Sequence, residues 1–151
     1  TALAAGEEAV WIADGAAPLQ PKVVRASSGA VLALPVVRLD GDGLQQRLGA
    51  ARRRGRQVVA TVVPGPAAGG AVPYWQIDWS APTVLLLGNE GAGLSEELAA
   101  EADRLVTIPH SPQVESLNVA VAAAPLLLER WRRRHAPRQG RIPGIPRNML
   151  R

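Results

Sequence analysis

Uninterrupted apolar runs constrain the fold of this chain more than any other feature. The segments QVVATVV at 57–63 and TVLLL at 83–87 are apolar and β-branched, with no apolar–polar alternation. Such strands are typical of parallel sheets that are covered on both faces. Further strands are predicted at 9–13, 34–39 and 104–108, and helices at 21–28, 44–54, 94–102 and 118–134. This alternation of strands and helices predicts the α/β class, a parallel sheet with helices on both faces.

Length and composition exclude several classes of protein. A chain of 151 residues is one ordinary domain. It contains no cysteine, which excludes disulfides, thiolate catalysis and cysteine-based zinc sites. Its two histidines, His110 and His135, are too scattered to indicate a metal site. No apolar run approaches the ~18 residues that cross a bilayer, and the first residues do not resemble a signal peptide. We therefore expect no metal, no membrane and a cytoplasmic location.

Arginines are clustered in two places. Arg52, Arg53, Arg54 and Arg56 form one cluster, and after Glu129 eight arginines follow without any acid. Clusters of this kind suit a polyanion such as a nucleic acid. A solvated helix end followed by a flexible tail explains them equally well. Aromatic residues make up only 3% of the chain, which disfavours a platform that stacks single-stranded bases.

A glycine-rich turn follows the most apolar strand. The segment LLLGNEGAGL at 85–94 reads as a buried strand, a turn and the start of a helix. Glycines in such a turn let the backbone approach a ligand closely. The turn lacks the Lys-Ser/Thr ending of a phosphate loop. Glu90 lies in the turn, either near a ligand or as a negative charge that favours the N-terminus of the next helix.

A polar loop precedes the last helix. The segment IPHSPQVESLNVAVA at 108–122 ends a strand, crosses the loop and enters a helix that is rich in alanine. Ser116 and Asn118 flank the start of this helix, and both residue types are ordinary N-caps. From this segment alone, a capping role and a functional role both remain open. Pro125 lies inside the helix and predicts a kink.

Together the two segments resemble the SpoU (TrmH-like) branch of the SPOUT RNA methyltransferases. Gly88–Gly93 matches the family's G-x-E-x-x-G turn after an apolar strand. Ile108-Pro109, followed after a loop by Ser116–Ala122, matches its I-P…S-L-N-V-(S/A)-V-A segment. Each motif is moderately specific, and the ordered pair is strongly so. The stretch Lys22–Val36 is also similar to the family, so that the resemblance covers roughly residues 1–134.

The resemblance implies a fold, a reaction and a site. The fold is a parallel α/β domain whose C-terminal part forms a deep trefoil knot, contrary to the usual topology rules. The reaction is methyl transfer from S-adenosylmethionine (AdoMet) to a ribose 2′-hydroxyl of RNA, with rRNA favoured over tRNA, by a homodimer. Asn118 and Ser116 would contact the ribose and phosphate, with Glu90 as support. Backbone atoms would hold the cofactor at Leu87, Gly88, Asn89, Glu90, Gly91, Ile108, Pro109 and Leu117.

One departure from the family concerns its first motif, N-x-G-x-x-x-R. Thr1–Gly6 resembles the residues that follow the arginine of this motif, which implies that the asparagine, the arginine and the first strand are absent from this sequence. The family attributes proton removal to that arginine. We therefore expect residues 1–134 to be a catalytic domain without its first strand, and 135–151 to be a flexible basic tail.

Three alternatives to this activity remain open. A base-methylating relative is disfavoured by the S-L-N-V segment. A non-catalytic module of the same fold that binds RNA or dimerises is favoured by the missing motif. An unrelated α/β domain is disfavoured by two ordered motifs.

Overall fold

The computed structural model describes residues 1–13, 17–64, 69–89 and 93–136. These residues form six strands and five helices. The strands are β1 (Val10–Ile12), β2 (Val36–Arg38), β3 (Gln57–Thr61), β4 (Val72–Pro73), β5 (Thr83–Leu86) and β6 (Arg104–Thr107). The helices are α1 (Pro21–Ala26), α2 (Ala30–Ala33), α3 (Gly41–Arg53), α4 (Glu96–Ala100) and α5 (Val119–His135), with a 3₁₀ turn at Tyr74–Gln76.

All strand pairs among the described residues are parallel, as the apolar runs predict. Four strands form one sheet in the order β4-β6-β3-β5, and β1 pairs with β2 in a second sheet. In the larger sheet, Val59 lies opposite Leu85 of β5 and Arg104 of β6. The sequence predicts one continuous sheet, whereas the described residues form two. The two sheets are separate because no strand among the described residues pairs with both β1 and β5.

The central strand β3 is buried on both faces. Val58 and Ala60 pack with α3, whereas Val59 points to the opposite face and packs with Leu126 of α5. These three residues, the central ones of β3, have no exposed surface. The alternation of side chains along a strand sends neighbouring residues to opposite faces, so that each face requires a helical layer. The predicted covering of both faces is thus confirmed.

Local interactions and residue types determine where the helices begin and end. Asp40 caps α3 by accepting a hydrogen bond from the Gly43 N–H at 2.7 Å. Gly55 follows the end of α3 with a φ of +72°, a left-handed conformation that glycine adopts without strain. Ser95 caps α4 by accepting a hydrogen bond from the Leu98 N–H. Pro21 occupies the first turn of α1, and α5 continues through Pro125.

The structure shows four local features that the sequence does not predict. Helix α2 lies where no helix is predicted; Ser28 and Gly29, both with positive φ, separate it from α1. Strand β4 lies where no strand is predicted, and its residues Val72 and Pro73 pair with β6. His135, assigned to a flexible tail, is the last residue of α5. Trp79, to which the sequence assigns no role, is fully buried, and its Nε1–H donates to the Tyr74 carbonyl at 2.6 Å.

Within the described ranges, no helix combines the length and the apolar character that spanning a bilayer requires. The same residues contain no group of three or more acidic or histidine side chains that could hold a metal ion.

The C-terminal part of α5 carries a compact ion-pair network. Glu129 accepts hydrogen bonds at 2.7 Å from Arg132 and from Arg133. These bonds lower the pKa of Glu129 from 4.5 to about 2, with Arg132 contributing most, while partial burial opposes the change. Two of the arginines that the sequence assigns to a polyanion surface are therefore engaged by Glu129.

We expect Glu129 to contribute to stability in a defined pH range. Because its folded-state pKa lies below the unfolded value, the contribution is complete above about pH 4.5 and is lost as the pH falls to about 2. The urea midpoint of the wild type should fall more steeply over this range than that of Glu129→Gln. Glu115→Gln removes an exposed charge outside the network and serves as control. Parallel pH profiles for wild type and Glu129→Gln would contradict the assignment.

Candidate functional site

The candidate site lies at the carboxyl edge of the larger sheet. Strands β5 and β6 flank β3 and run parallel to it, so that their carboxyl ends meet at one edge. Ligands of open parallel sheets bind beyond this edge. Leu87 follows β5 and Ile108 follows β6, and both pack against the same cluster, which contains Val59 and Leu126. The structure thus brings together two of the predicted cofactor-binding segments.

The turn after β5 closes tightly on itself. Asn89 and Gly93 exchange backbone hydrogen bonds of 3.2 and 3.1 Å and form an isolated antiparallel bridge. A Cβ atom at Gly88 would lie 2.2 Å from the carbonyl carbon of Gly93 and 2.4 Å from the Leu94 nitrogen. Since these contacts are with backbone, position 88 cannot hold any side chain without opening the turn.

Asn118 begins α5 and has a clear local role. Its Oδ1 accepts hydrogen bonds from the N–H groups of Ala120 at 3.0 Å and Val121 at 3.3 Å. This bond pattern is an N-cap, so the capping interpretation of Asn118 is confirmed. The cap employs only the amide oxygen and holds the side chain at the exposed start of the helix. Ser116 is exposed and Leu117 is half-buried in the loop before it.

The loop after β6 is shaped by two local contacts. His110 Nδ1 lies 2.6 Å from the Ile108 carbonyl oxygen and donates to it when the proton is on Nδ1. Ser111 closes a turn in which its carbonyl accepts from Val114 at 3.0 Å. Pro109 is exposed between these contacts. His110 is not among the predicted site residues. Because it lies two positions after Ile108, its ring can reach the Ile108 carbonyl, and this spacing is visible in the sequence.

Not every predicted residue can be placed. Glu90 and Gly91 lie outside the described residues. Ser116 and Leu117 lie in the loop before α5. The roles predicted for the residues of both segments stay predictions.

The predicted basic surfaces are partly internal. Arg52 is hydrogen-bonded to Glu101 at 2.6 Å, and Arg56 to Glu8 at 2.7 Å. Arg53 and Arg54 are the exposed members of the first cluster. In the second cluster, the assignment of Arg130 to a polyanion surface is wrong. Its side chain is only 7% exposed and pairs with Glu7, from which it is separated by most of the chain.

A large cavity is lined by only part of the predicted cofactor set. It has a volume of about 1400 Å³ and lies between β1 and β5, on the far side of β5 from β6. Leu87, Gly88 and Asn89 line its end, whereas Ile108 and Leu117 do not. The segment after β5 thus borders this cavity and also packs, through Leu87, on the cluster that Ile108 contacts.

Comparison with known proteins identifies the family of this chain. Residues 1–128 match the SpoU rRNA Methylase family. The chain belongs to this family. An uncharacterized tRNA/rRNA methyltransferase of Synechocystis is 41% identical over 90% of this chain and 47% of its own length. A 23S rRNA uridine 2′-O-methyltransferase of Streptomyces viridochromogenes is 36% identical over 93% of this chain and 48% of its own length.

A solved SpoU structure shares the fold. The SpoU methyltransferase AviRb of Streptomyces viridochromogenes, crystallised with AdoMet, superposes with a TM-score of 0.78 at 35% identity. The match covers 91% of this chain and 51% of that one. The SpoU chain described here therefore spans about half the length of the relatives it matches.

We expect Gly88→Ala to open the turn after β5. The added Cβ collides with the backbone at Gly93, which should destabilise the domain by about 1–3 kcal/mol and speed amide exchange at Asn89 and Gly93. Gly41→Ala is the matched control, because a Cβ at this first residue of α3 meets no atom within 4 Å. Urea unfolding and amide exchange measure both effects. Equal stability of the two variants would disprove the close approach.

Proposed function

We propose that this chain is the catalytic domain of an AdoMet-dependent RNA ribose 2′-O-methyltransferase, which residues 1–134 form without the family's first motif. The observation that carries the proposal is the closed turn at Gly88, at the same sheet edge as Ile108. It coincides with the family's G-x-E-x-x-G motif. The relatives named above are a 23S rRNA 2′-O-methyltransferase and a SpoU methyltransferase crystallised with AdoMet.

The described residues fit the proposed cofactor. Leu87 and Ile108 are half-buried and pack on one cluster, which offers an apolar surface to an adenine ring. Beyond them, the turn at Gly88 and the loop at Pro109 present backbone N–H and C=O groups, the usual means of fixing a ligand in an apolar pocket. Asn89, Glu90, Gly91 and Leu117 complete the proposed set. AdoMet, when bound, supplies an electrophilic methyl group.

The chain's own contribution to the reaction is orientation. A ribose hydroxyl must be held in line with the methyl group and must lose its proton during attack. Asn118 employs its Oδ1 in the cap, which fixes at the start of α5 the side chain that would contact ribose or phosphate. Ser116 is the exposed hydroxyl beside it, and Glu90 would support the turn. We assign the base to the family's first-motif arginine, outside these residues.

The same proposal includes the topology of the chain. A deep trefoil knot would place the segment before α5 against the turn after β5, which brings Leu117 to the cofactor. The parallel α/β fold and the 0.78 TM-score to AviRb support this topology. Residues beyond α5 would form a basic tail.

We also propose that the protein acts as a homodimer on RNA, with rRNA favoured over tRNA, in the cytoplasm. Three large apolar side chains of α5 support the dimer: Val121 is 58% exposed, Leu128 51% and Trp131 40%. Their spacing places them on one side of the helix. The exposed Arg53 and Arg54 are consistent with a polyanionic partner.

Two substitutions at Asn118 separate capping from catalysis. Asn118→Ser retains a capping oxygen and loses the amide N–H groups, whereas Asn118→Ala loses both. We expect the alanine variant to cost about 1 kcal/mol and the serine variant much less, because serine and asparagine cap equally well. Both should abolish methyl transfer to RNA in the full-length enzyme. Wild-type transfer by the serine variant would refute a catalytic role for Asn118.

AdoMet titration calorimetry tests the activity class itself. The full-length protein should bind AdoMet and S-adenosylhomocysteine, and Asn118→Ser should retain that binding. A folded protein that binds RNA in a salt-sensitive manner but does not bind AdoMet would instead identify the non-catalytic module. Nucleoside analysis of the product distinguishes ribose from base methylation.

We expect Leu128→Asp to dissociate the homodimer. The substitution places a charge in the centre of the apolar side of α5, and desolvating that charge opposes association. Sedimentation velocity should show a smaller particle, while Leu32→Asp, at an equally apolar residue that is 70% exposed on α2, should not change it. A dimer that survives in Leu128→Asp would remove α5 from the interface.

A further inference from the structure

His110 lies at the candidate site, and the proposed function gives it no role. It follows Ile108 by two positions, in the loop after β6 at the carboxyl edge of the larger sheet. Its neighbours Pro109 and Ser111 are exposed, whereas His110 is half-buried. The imidazole is therefore turned in toward the protein, at the edge beyond which ligands of open parallel sheets bind.

The contact with Ile108 determines which ring nitrogen of His110 carries the proton. Nδ1 lies 2.6 Å from the Ile108 carbonyl oxygen, and a carbonyl oxygen can only accept a hydrogen bond. Nδ1 is therefore the donor. In the neutral ring, the other nitrogen, Nε2, then has a lone pair and no proton, so that it is an acceptor. The loop thus presents one fixed acceptor at the sheet edge.

The same contact sets the direction of this acceptor. The two nitrogens of an imidazole lie on either side of one ring carbon, and their hydrogen-bonding directions diverge. Because Nδ1 is aimed back at the end of β6, Nε2 is aimed away from that strand. Within the described part of the chain, Nε2 accepts no hydrogen bond. Polar groups that are shielded from water are normally paired, so this position suits a donor on a bound ligand.

The surface beside His110 indicates which donor that is. Ile108, whose carbonyl holds the imidazole, packs with Leu87 on one cluster, and these two residues form the apolar surface proposed for the adenine ring. The adenine of a nucleoside has one strong donor, its exocyclic amino group, whereas its free ring nitrogens are acceptors. An acceptor at Nε2 therefore complements the amino group and no other edge of the ring.

The second histidine has a similar local contact in a different place. His135 Nδ1 lies 2.8 Å from the Trp131 carbonyl oxygen, and the two rings stack with centroids 3.6 Å apart. His135 is exposed and is the last residue of α5. What distinguishes His110 is therefore its position beside Ile108, and His135 provides a matched control.

We propose that His110 is a specificity-determining residue of the cofactor site, where its Nε2 accepts a hydrogen bond from the exocyclic amino group of the adenine of AdoMet. The Ile108 carbonyl holds the ring in the required tautomer and orientation. The inference rests on the proposed function, because it requires AdoMet at this sheet edge. It adds one side-chain contact to a site that otherwise offers mainly backbone groups.

A pair of ligands tests this contact in the full-length protein. S-adenosylhomocysteine carries the amino group, and its 6-deamino analogue has hydrogen at the same position. Titration calorimetry in an alkaline buffer, in which imidazoles are neutral, gives the ratio of the two Kd values. In His110→Asn, the amide can still donate to the Ile108 carbonyl, but no acceptor remains at the position of Nε2. We expect this variant to discriminate about five- to tenfold less than the wild type, the effect of one lost hydrogen bond.

The ratio separates a contact with adenine from a purely structural role. A loosened loop would weaken both ligands alike and leave their ratio unchanged. His135→Asn should have the wild-type ratio. An unchanged ratio in His110→Asn would overturn the inference and leave the proposed function standing, because binding of S-adenosylhomocysteine is measured in the same titrations. A folded wild-type protein that binds neither ligand would overturn both.

Nitrogen NMR of the imidazole tests the tautomer without any substitution. In the free full-length protein at alkaline pH, we expect His110 to carry its proton on Nδ1 and to have an unprotonated Nε2. The Nε2 resonance should shift when S-adenosylhomocysteine binds and should shift much less with the 6-deamino analogue. A ring protonated on Nε2, or equal shifts with the two ligands, would contradict the assignment.

Discussion

Complete burial of β3 is the constraint on which the rest of the structure depends. Its three central residues have no exposed surface, and successive side chains point to opposite faces. One face is covered by α3 and the other by α5. Because β3 pairs on both edges, β5 and β6 must lie beside it, and their carboxyl ends meet at one edge. The position of the candidate site therefore follows from the burial and pairing of β3.

The proposed chemistry relies on backbone more than on side chains. Gly88 is required by a turn that leaves no space for a Cβ, and Asn118 holds the start of α5 with its amide oxygen. Each residue has a structural role that can be measured separately from binding or catalysis. This is why Asn118→Ser is more informative than Asn118→Ala: it retains a capping oxygen and removes the amide group that would contact a substrate.

Charge in this chain serves folding as well as recognition. Arg130 is buried against Glu7, and Arg52 and Arg56 pair with acids on other elements. Glu129 engages two further arginines of α5. Arginine clusters in the sequence therefore overstate the surface available to a polyanion. Among the described residues of the first cluster, Arg53 and Arg54 remain exposed and carry the electrostatic part of the proposed RNA contact.

The sequence by itself determined the α/β class, most strand positions and the family, because each depends on local pattern or on short motifs. It also indicated both segments of the candidate site. Only the tertiary structure decided that Arg130 reaches Glu7, that Trp79 is core, and that an open gap separates β1 from β5. Those facts depend on contacts between residues far apart in the chain, and neither hydrophobic period nor residue type encodes which distant partner a side chain meets.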